Sequence, residues 1–142
     1  MRLLHIDNDE IFSAKIKKIV EDNDVVYISA DSYEKAGEII TEIKVDLVII
    51  TEQMDGVSCK AFIEKLKLEK STLTPVIVIS EDHSDEKKSV YFDMGIMSYL
   101  TKAPFSDKRF EYTRRKSRFH HNTLYRAGKS EDNNSFTKYR RR

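Results

Sequence analysis

Residues 45–56 read VDLVIITEQMDG, and this stretch decides the fold class. Its aliphatic run ends at Ile50, and the polar residues Thr51 and Glu52 follow at once. An apolar run of this length, bounded by polar residues, is typical of a strand that is buried on both faces, as strands of parallel sheets are. The side chain that comes directly after such a strand often lies at a ligand site.

The chain up to Thr101 alternates between similar apolar runs and segments in which apolar residues recur with helical spacing. This alternation predicts an α/β fold with a doubly wound, five-stranded parallel sheet. Ser32 and Ser84 are the predicted N-caps of the second and fourth helices. The predicted strands cover residues 2–6, 25–29, 46–50, 75–80 and 98–101, and the predicted helices cover 10–23, 32–43, 57–70 and 84–95.

In such sheets, ligands bind beyond the carboxyl ends of the strands, where the strand order reverses. The side chains that we expect at this edge are therefore those at the end of each strand. They are Asp7, Asn8 and Asp9 after the first strand, Thr51 and Glu52 after the third, Ser80 at the end of the fourth and Lys102 after the fifth. An acidic cluster, two hydroxyl groups and one lysine are predicted to converge there.

These residues, together with the sequence YLTKAPF, resemble the receiver domain of bacterial two-component response regulators over about residues 1–106. The resemblance implies that an acidic pair after the first strand binds Mg²⁺ and that an aspartate after the third strand accepts a phosphoryl group. It also implies that a hydroxyl residue and a lysine contact the phosphoryl oxygens, and that an aromatic residue in the fifth strand rotates on activation. Asp7, Ser80, Lys102 and the aromatic Tyr99 match these positions.

Two positions depart from the family pattern. The resemblance places Asn8 where the second carboxylate is expected and Thr51 at the phosphoacceptor position, and the loop that follows is shorter than usual. A threonine hydroxyl is nearly all protonated at neutral pH and needs a general base, and none is evident beside Thr51. The sequence therefore predicts a degenerate receiver whose third strand ends in a structural hydroxyl.

Mg²⁺ binding is predicted to be weak at best, because the ion prefers carboxylate and phosphate oxygens. Asp7 and Asp9 are the carboxylates that remain after the first strand. The alternative is an active receiver with a non-standard acceptor, Glu52 or Asp55, although strand alternation points Glu52 away from Thr51. No other metal and no cofactor is predicted.

A second predicted site is a protein-binding face formed by the fourth helix and the fifth strand. The segment between residues 91 and 99 holds more apolar side chains than one helix face buries, which indicates an interface. We predict that a protein partner or a second copy of the chain binds there. The candidate residues are Tyr91, Met94, Met97 and Tyr99.

The charge distribution divides the chain at residue 106. Residues 1–106 hold 13 Lys and Arg against 20 Asp and Glu, a net of −7, whereas residues 107–142 hold 12 against 4, a net of +8. We predict a receiver-like domain over 1–106, followed over 107–142 by a short or eroded fifth helix and a basic, flexible tail. Basic residues interleaved with aromatic ones can bind nucleic acid. The candidates are Arg114, Arg115, Lys116, Arg118, Arg126, Arg140, Arg141 and Arg142.

Composition limits the remaining function classes. The single cysteine, Cys59, excludes an intramolecular disulfide and favours a reducing compartment. No stretch reaches the roughly 20 apolar residues that span a membrane, and no base–nucleophile pair indicates an enzyme. We therefore predict a cytoplasmic, non-enzymatic signalling protein that acts without phosphorylation through protein–protein contacts. The alternative is a transcriptional regulator that binds nucleic acid through its basic tail.

Overall fold

The computed structural model describes residues 1–21, 24–70 and 74–117. They contain a five-stranded parallel sheet, a two-stranded hairpin and five helices. The strands are β1 (Arg2–Ile6), β2 (Val26–Ala30), β3 (Leu47–Thr51), β4 (Gln53–Met54), β5 (Val57–Ser58), β6 (Val76–Ser80) and β7 (Ser98–Thr101). The helices are α1 (Glu10–Val20), α2 (Tyr33–Glu42), α3 (Lys60–Lys70), α4 (Asp85–Asp93) and α5 (107–117).

The sheet has the strand order β2-β1-β3-β6-β7, and each neighbouring pair is parallel. This confirms the predicted doubly wound α/β architecture. The chain passes from β1 to β2 on one side and then crosses to β3 on the other side of β1, so the strand order reverses between β1 and β3. A crevice opens beyond the carboxyl ends of such a strand pair. Asp7 follows β1 and Thr51 ends β3, so both residues lie at this crevice.

The core forms two layers because alternate side chains of the central strands point to opposite faces of the sheet. One layer joins the even-numbered side chains of β1, β3 and β6 to Ala36 of α2, Ile63 of α3 and Tyr91 of α4. The other joins odd-numbered side chains of the same strands to Ile16 of α1 and Phe110 of α5. No helix in the described part of the chain is long and apolar enough to cross a membrane.

The segment after β3 differs from the prediction. The sequence predicts a helix from residue 57, but Val57–Ser58 forms β5, which pairs with β4 in an antiparallel hairpin, and α3 starts after it. The hairpin turns at Asp55 and Gly56, which have positive φ angles of 52° and 79°. Asp–Gly is favoured in a two-residue hairpin turn because both central positions require positive φ.

A fifth helix follows residue 106, where the sequence predicts a short or eroded one, and it packs onto the sheet. Residues 107–117 are helical, and Ser106 caps them by accepting a hydrogen bond from the backbone N–H of Arg109 at 3.1 Å. Phe110 of this helix is fully buried, and its ring centroid lies 5.7 Å from that of Phe105. The packed domain therefore extends to at least residue 117. The rest of the predicted tail lies outside the described residues.

Candidate functional site

A lysine and two aspartates form the first centre at the carboxyl edge of the sheet. The Nζ of Lys102 lies 3.0 Å from Oδ2 of Asp7 and 3.1 Å from Oδ2 of Asp9. Oδ1 of Asp7 accepts from the backbone N–H of Asp9, and Oδ1 of Asp9 caps α1 by accepting from the N–H of Phe12, each at 3.0 Å. Both oxygens of each carboxylate therefore have partners. The Lys102 ammonium also lies over the Phe12 ring, 4.8 Å from its centroid.

These contacts stabilise the charged forms of Asp9 and Lys102. The backbone bond from Phe12 lowers the pKa of Asp9; partial burial opposes this effect, and Lys102 adds to it. Burial alone would lower the pKa of Lys102, but the bonds to Asp7 and Asp9 outweigh burial and raise it. The lysine therefore stays charged and ion-paired at neutral pH.

Thr51 ends β3 with a buried side chain whose hydroxyl is bonded within its own loop. Its Oγ1 donates to the carbonyl oxygen of Gln53 at 3.4 Å, and its carbonyl accepts from the Tyr33 hydroxyl at 3.1 Å. The same Tyr33 hydroxyl lies 3.3 Å from the carbonyl of Val57, so α2 holds β3 and β5 together. Among the described residues, no carboxylate or imidazole forms a hydrogen bond with the Thr51 hydroxyl.

The residues around this crevice do not fit Mg²⁺. The ion prefers near-octahedral coordination by oxygen, commonly with one or two carboxylates. Asp7 and Asp9, which the sequence offered as a weak magnesium site, are both bound to Lys102, and the Asn8 amide donates to Oδ1 of Asp55 at 3.4 Å. In the residues that the structure describes, no group of three or more His, Cys, Asp or Glu is arranged to hold a metal ion.

Glu52 forms a second centre, on the α4 side of β3, whose partners the sequence reasoning missed. Glu52 is 4% exposed, and its carboxylate accepts from the Tyr91 hydroxyl at 2.8 Å, the Lys87 ammonium at 3.3 Å and the Ser80 hydroxyl at 3.5 Å. A buried carboxylate needs such partners, because burying an unpaired charge is strongly unfavourable. A signal existed in the sequence: Lys87 and Tyr91 lie four residues apart, on one face of α4, and a buried tyrosine hydroxyl requires a partner.

Ser80 connects this second centre to Tyr99. The Oγ of Ser80 accepts from the backbone N–H of Asp82 at 2.9 Å, and the Tyr99 hydroxyl donates to the carbonyl of Asp82 at 2.9 Å. Lys87 lies 3.4 Å from Oδ2 of the same aspartate, so three side chains hold the loop between β6 and α4. Five of the predicted pocket residues therefore belong to two hydrogen-bonded centres, whereas Asn8 and Thr51 bond to Asp55 and Gln53 outside both.

Two of the four predicted interface residues, Tyr91 and Tyr99, are buried inside the domain. Tyr91 is fully buried and Tyr99 is 5% exposed, because their hydroxyl groups bond inside the domain and their rings pack 5.9 Å apart. Their side chains therefore cannot meet a partner in this arrangement. Met94 and Met97 are half-buried. The large apolar side chains that α4 exposes are Val90 and Phe92.

The predicted nucleic-acid residues are described only in part. Arg114 is buried, and its guanidinium binds the Glu111 carboxylate at 2.7 and 2.9 Å, so this arginine is not available to a phosphate. Arg115 and Lys116 are exposed on α5. Five of the predicted arginines lie outside the described residues: Arg118, Arg126, Arg140, Arg141 and Arg142.

His5 is a buried titratable group near the first centre. It is 1% exposed, and its Nδ1 lies 2.7 Å from the hydroxyl of Tyr27, which donates to the carbonyl of Ser13 at 3.2 Å. Burial lowers the pKa of His5 from 6.5 to about 4, although the nearby carboxylate of Asp7 opposes this effect. The imidazole is therefore neutral in the folded protein at neutral pH.

We expect the free energy of unfolding to fall as the pH is lowered from 6.5 to about 4. In this window the unfolded chain binds a proton at His5 that the folded protein does not bind, so acid favours unfolding. A lowering of the pKa by this amount corresponds to at most about 3 kcal/mol. Urea unfolding at several pH values measures the effect. The His5→Phe variant should show a flatter profile, and an unchanged profile in that variant would contradict the role of His5.

Comparisons with known proteins agree with this geometry. A family model described as "Response regulator receiver domain" matches residues 3–112. The signal receiver domain of an HD domain-containing protein from Pseudomonas fluorescens Pf-5 is 18% identical, with a TM-score of 0.78 over 86% of this chain and 97% of that one. A response regulator receiver domain protein from Clostridium thermocellum is 21% identical, with a TM-score of 0.76 over 87% and 98% of the two chains. The chemotaxis protein CheY4 of Vibrio cholerae is 18% identical, with a TM-score of 0.74 over 82% and 97%.

No curated protein matches the chain at a significant level. The three solved structures are 18%, 21% and 18% identical to this chain, so they show the shared fold. The family is shown by the model that matches the sequence itself. That match extends into α5 and includes Asp7, Ser80 and Lys102 at the ends of their strands. This chain belongs to the family of response regulator receiver domains.

Proposed function

We propose that this chain is a non-enzymatic receiver that signals through protein–protein contacts and accepts no phosphoryl group at the end of β3. The observation that supports this function best is the set of residues and contacts at the crevice between β1 and β3. Thr51 ends β3, and the lysine that would meet a phosphoryl group, Lys102, is bound by both Asp7 and Asp9.

Thr51 lacks what a nucleophile needs. A hydroxyl becomes nucleophilic when an adjacent base takes its proton. The Thr51 hydroxyl donates instead to the Gln53 carbonyl, which is not a base. The two carboxylates that follow in the sequence are also engaged, since Glu52 is bound by residues of α4 and Asp55 by Asn8.

An incoming phosphoryl group would also have to compete for Lys102. Its ammonium already contacts two carboxylates, and displacing them would leave the buried Asp7 charge without its partner. A buried, unpaired carboxylate is strongly unfavourable. The negative charges of Asp7 and Asp9 would in addition repel a phosphoryl dianion unless a metal ion lay between them.

The surface that we propose for partners is the face of α4 and β7. Val90 and Phe92 are exposed on α4, and Met94 and Met97, which follow the helix, are half-buried. Exposed apolar side chains of this size favour a protein interface. A protein partner or a second copy of this chain in the cytoplasm is the occupant that we propose.

Titration of the ¹⁵N-labelled protein with Mg²⁺ and then with beryllofluoride, a phosphoryl analogue, tests this function by NMR. We expect no saturable shifts at millimolar concentrations for the amides of Asp7, Thr51, Ser80 and Lys102. The reason is that Lys102 is occupied and that neither Asn8 nor Thr51 provides a carboxylate. Saturable shifts centred on those four amides would overturn the proposal.

A matched control for this titration is the double variant Asn8→Asp/Thr51→Asp. It adds two carboxylates beside Asp7 at the positions where the family carries them. Three carboxylates at one crevice are a suitable donor set for Mg²⁺. We therefore expect the double variant to show saturable Mg²⁺ shifts under conditions in which the wild-type protein shows none.

A further inference from the structure

We propose that Glu52 is a built-in anion that fills an oxyanion-binding site formed by Ser80, Lys87 and Tyr91. Two hydroxyl groups and one ammonium converge on its carboxylate, as donors would converge on a small bound oxyanion. The anion is a side chain of the protein itself, and its bonds hold the surrounding loop and α4 in place.

The donors come from two separate elements of the fold. Ser80 ends β6, whereas Lys87 and Tyr91 lie one turn apart on α4. Oε1 of Glu52 receives Ser80 and Lys87 at 3.5 and 3.3 Å, and Oε2 receives Tyr91 at 2.8 Å. The Glu52 side chain is 5% exposed, so these donors replace nearly all of its hydration.

The donors are themselves oriented towards the carboxylate. The Oγ of Ser80 accepts from the N–H of Asp82 at 2.9 Å, which leaves its own proton free to point at Glu52. Ser58 lies 3.0 Å from the Tyr91 hydroxyl and can donate to it while Tyr91 donates to Glu52. Donors held in advance by other groups bind an anion with little reorganisation.

The residues of this site also bond to the loop between β6 and α4 and, through it, to Tyr99. Ser80 holds the backbone of Asp82, whose carbonyl accepts from Tyr99 of β7, and Lys87 holds the Asp82 carboxylate at 3.4 Å. Removal of the Glu52 carboxylate is therefore expected to disturb α4, the loop that precedes it and Tyr99 together. The inference rests on the proposed function in one respect, that the face of α4 and β7 is the surface that a partner contacts.

Chemical rescue of Glu52→Ala by formate tests the site. This variant keeps all three donors but removes the carboxylate, so its thermal midpoint should fall and the amides of Asp82, Tyr91 and Tyr99 should shift. Formate should raise the midpoint and return these amides towards their wild-type positions, whereas chloride at equal ionic strength should not. Glu52→Leu fills the space with an apolar side chain and should not respond to formate. An equal response of both variants, or no response of Glu52→Ala, would overturn the proposal.

A second pair of variants keeps the test decisive where Glu52→Ala does not fold. Lys87→Met removes one donor, and Lys88→Met removes the neighbouring lysine, which forms no side-chain bond in the described structure. The amides of Asp82 and Tyr99 should shift in Lys87→Met and stay unmoved in Lys88→Met. Equal shifts in the two variants would overturn the proposal. Both tests probe the Glu52 centre, whereas the beryllofluoride titration probes Asp7 and Lys102. A failure of this inference can therefore be distinguished from a failure of the proposed function.

Discussion

Replacing Lys102 by alanine is expected to lower the free energy of unfolding by about 3–5 kcal/mol, as removal of one partner from a buried ion pair does. The Asp7 side chain is 3% exposed, and the substitution removes the ammonium that lies 3.0 Å from it. The variant also loses the contact with Asp9 and the cation–π contact with Phe12. Urea unfolding at neutral pH measures the loss.

Two further variants separate the buried charge from other causes of this loss. Lys102→Ala/Asp7→Asn should recover most of the stability, because it removes the uncompensated carboxylate together with its partner. Lys108→Ala removes an exposed lysine of α5 and should change the free energy of unfolding by less than about 0.5 kcal/mol. A loss in Lys102→Ala no larger than that in Lys108→Ala would show that the ion pair does not stabilise the fold.

Replacing Phe110 by alanine is expected to lower the free energy of unfolding by about 3–5 kcal/mol, the usual result of truncating a buried phenylalanine. Phe110 is fully buried and joins α5 to the core layer of β1, β3 and β6. Tyr112 on the same helix is 63% exposed and provides the control, for which Tyr112→Ala should cost less than about 0.5 kcal/mol. Thermal unfolding followed by circular dichroism compares the two variants. Equal midpoints would mean that α5 contributes little to the domain.

The sequence predicted the sheet well because its central strands carry aliphatic residues on both faces. β3 and β6 are buried at every position, and this leaves a continuous apolar run that is easily recognised. The hairpin was missed because strands of two residues have no measurable period. Its signal was the pair Asp55–Gly56, which suits a turn with positive φ. The sequence predicted a short fifth helix without its bounds, because Phe110 is the one aromatic residue of α5 that is fully buried.

The positions of the site residues could be predicted, whereas their partners could not. Parallel strands bring their carboxyl ends together, so the sequence placed Asp7, Thr51 and Lys102 at one edge. The bond between Glu52 and Tyr91 joins residues 39 positions apart. The spacing of Lys87 and Tyr91 on α4 indicated that the two side chains share a partner, but no local pattern identified that partner as Glu52. The burial of Arg114 had a readable signal in Glu111, which lies three residues earlier on the same helix face.

The contacts around Glu52 have a consequence for binding affinity. When a binding surface is formed in only a fraction of the molecules, the apparent dissociation constant of its partner equals the intrinsic constant divided by that fraction. If the face of α4 and β7 were formed in about one molecule in a hundred, the dissociation constant would rise about 100-fold, or about 2.7 kcal/mol. The bonds from Glu52 to Tyr91 and Lys87, and through Ser80 to the loop that Tyr99 holds, keep this face in one arrangement. Under the function that we propose, a partner of this receiver meets a preformed surface.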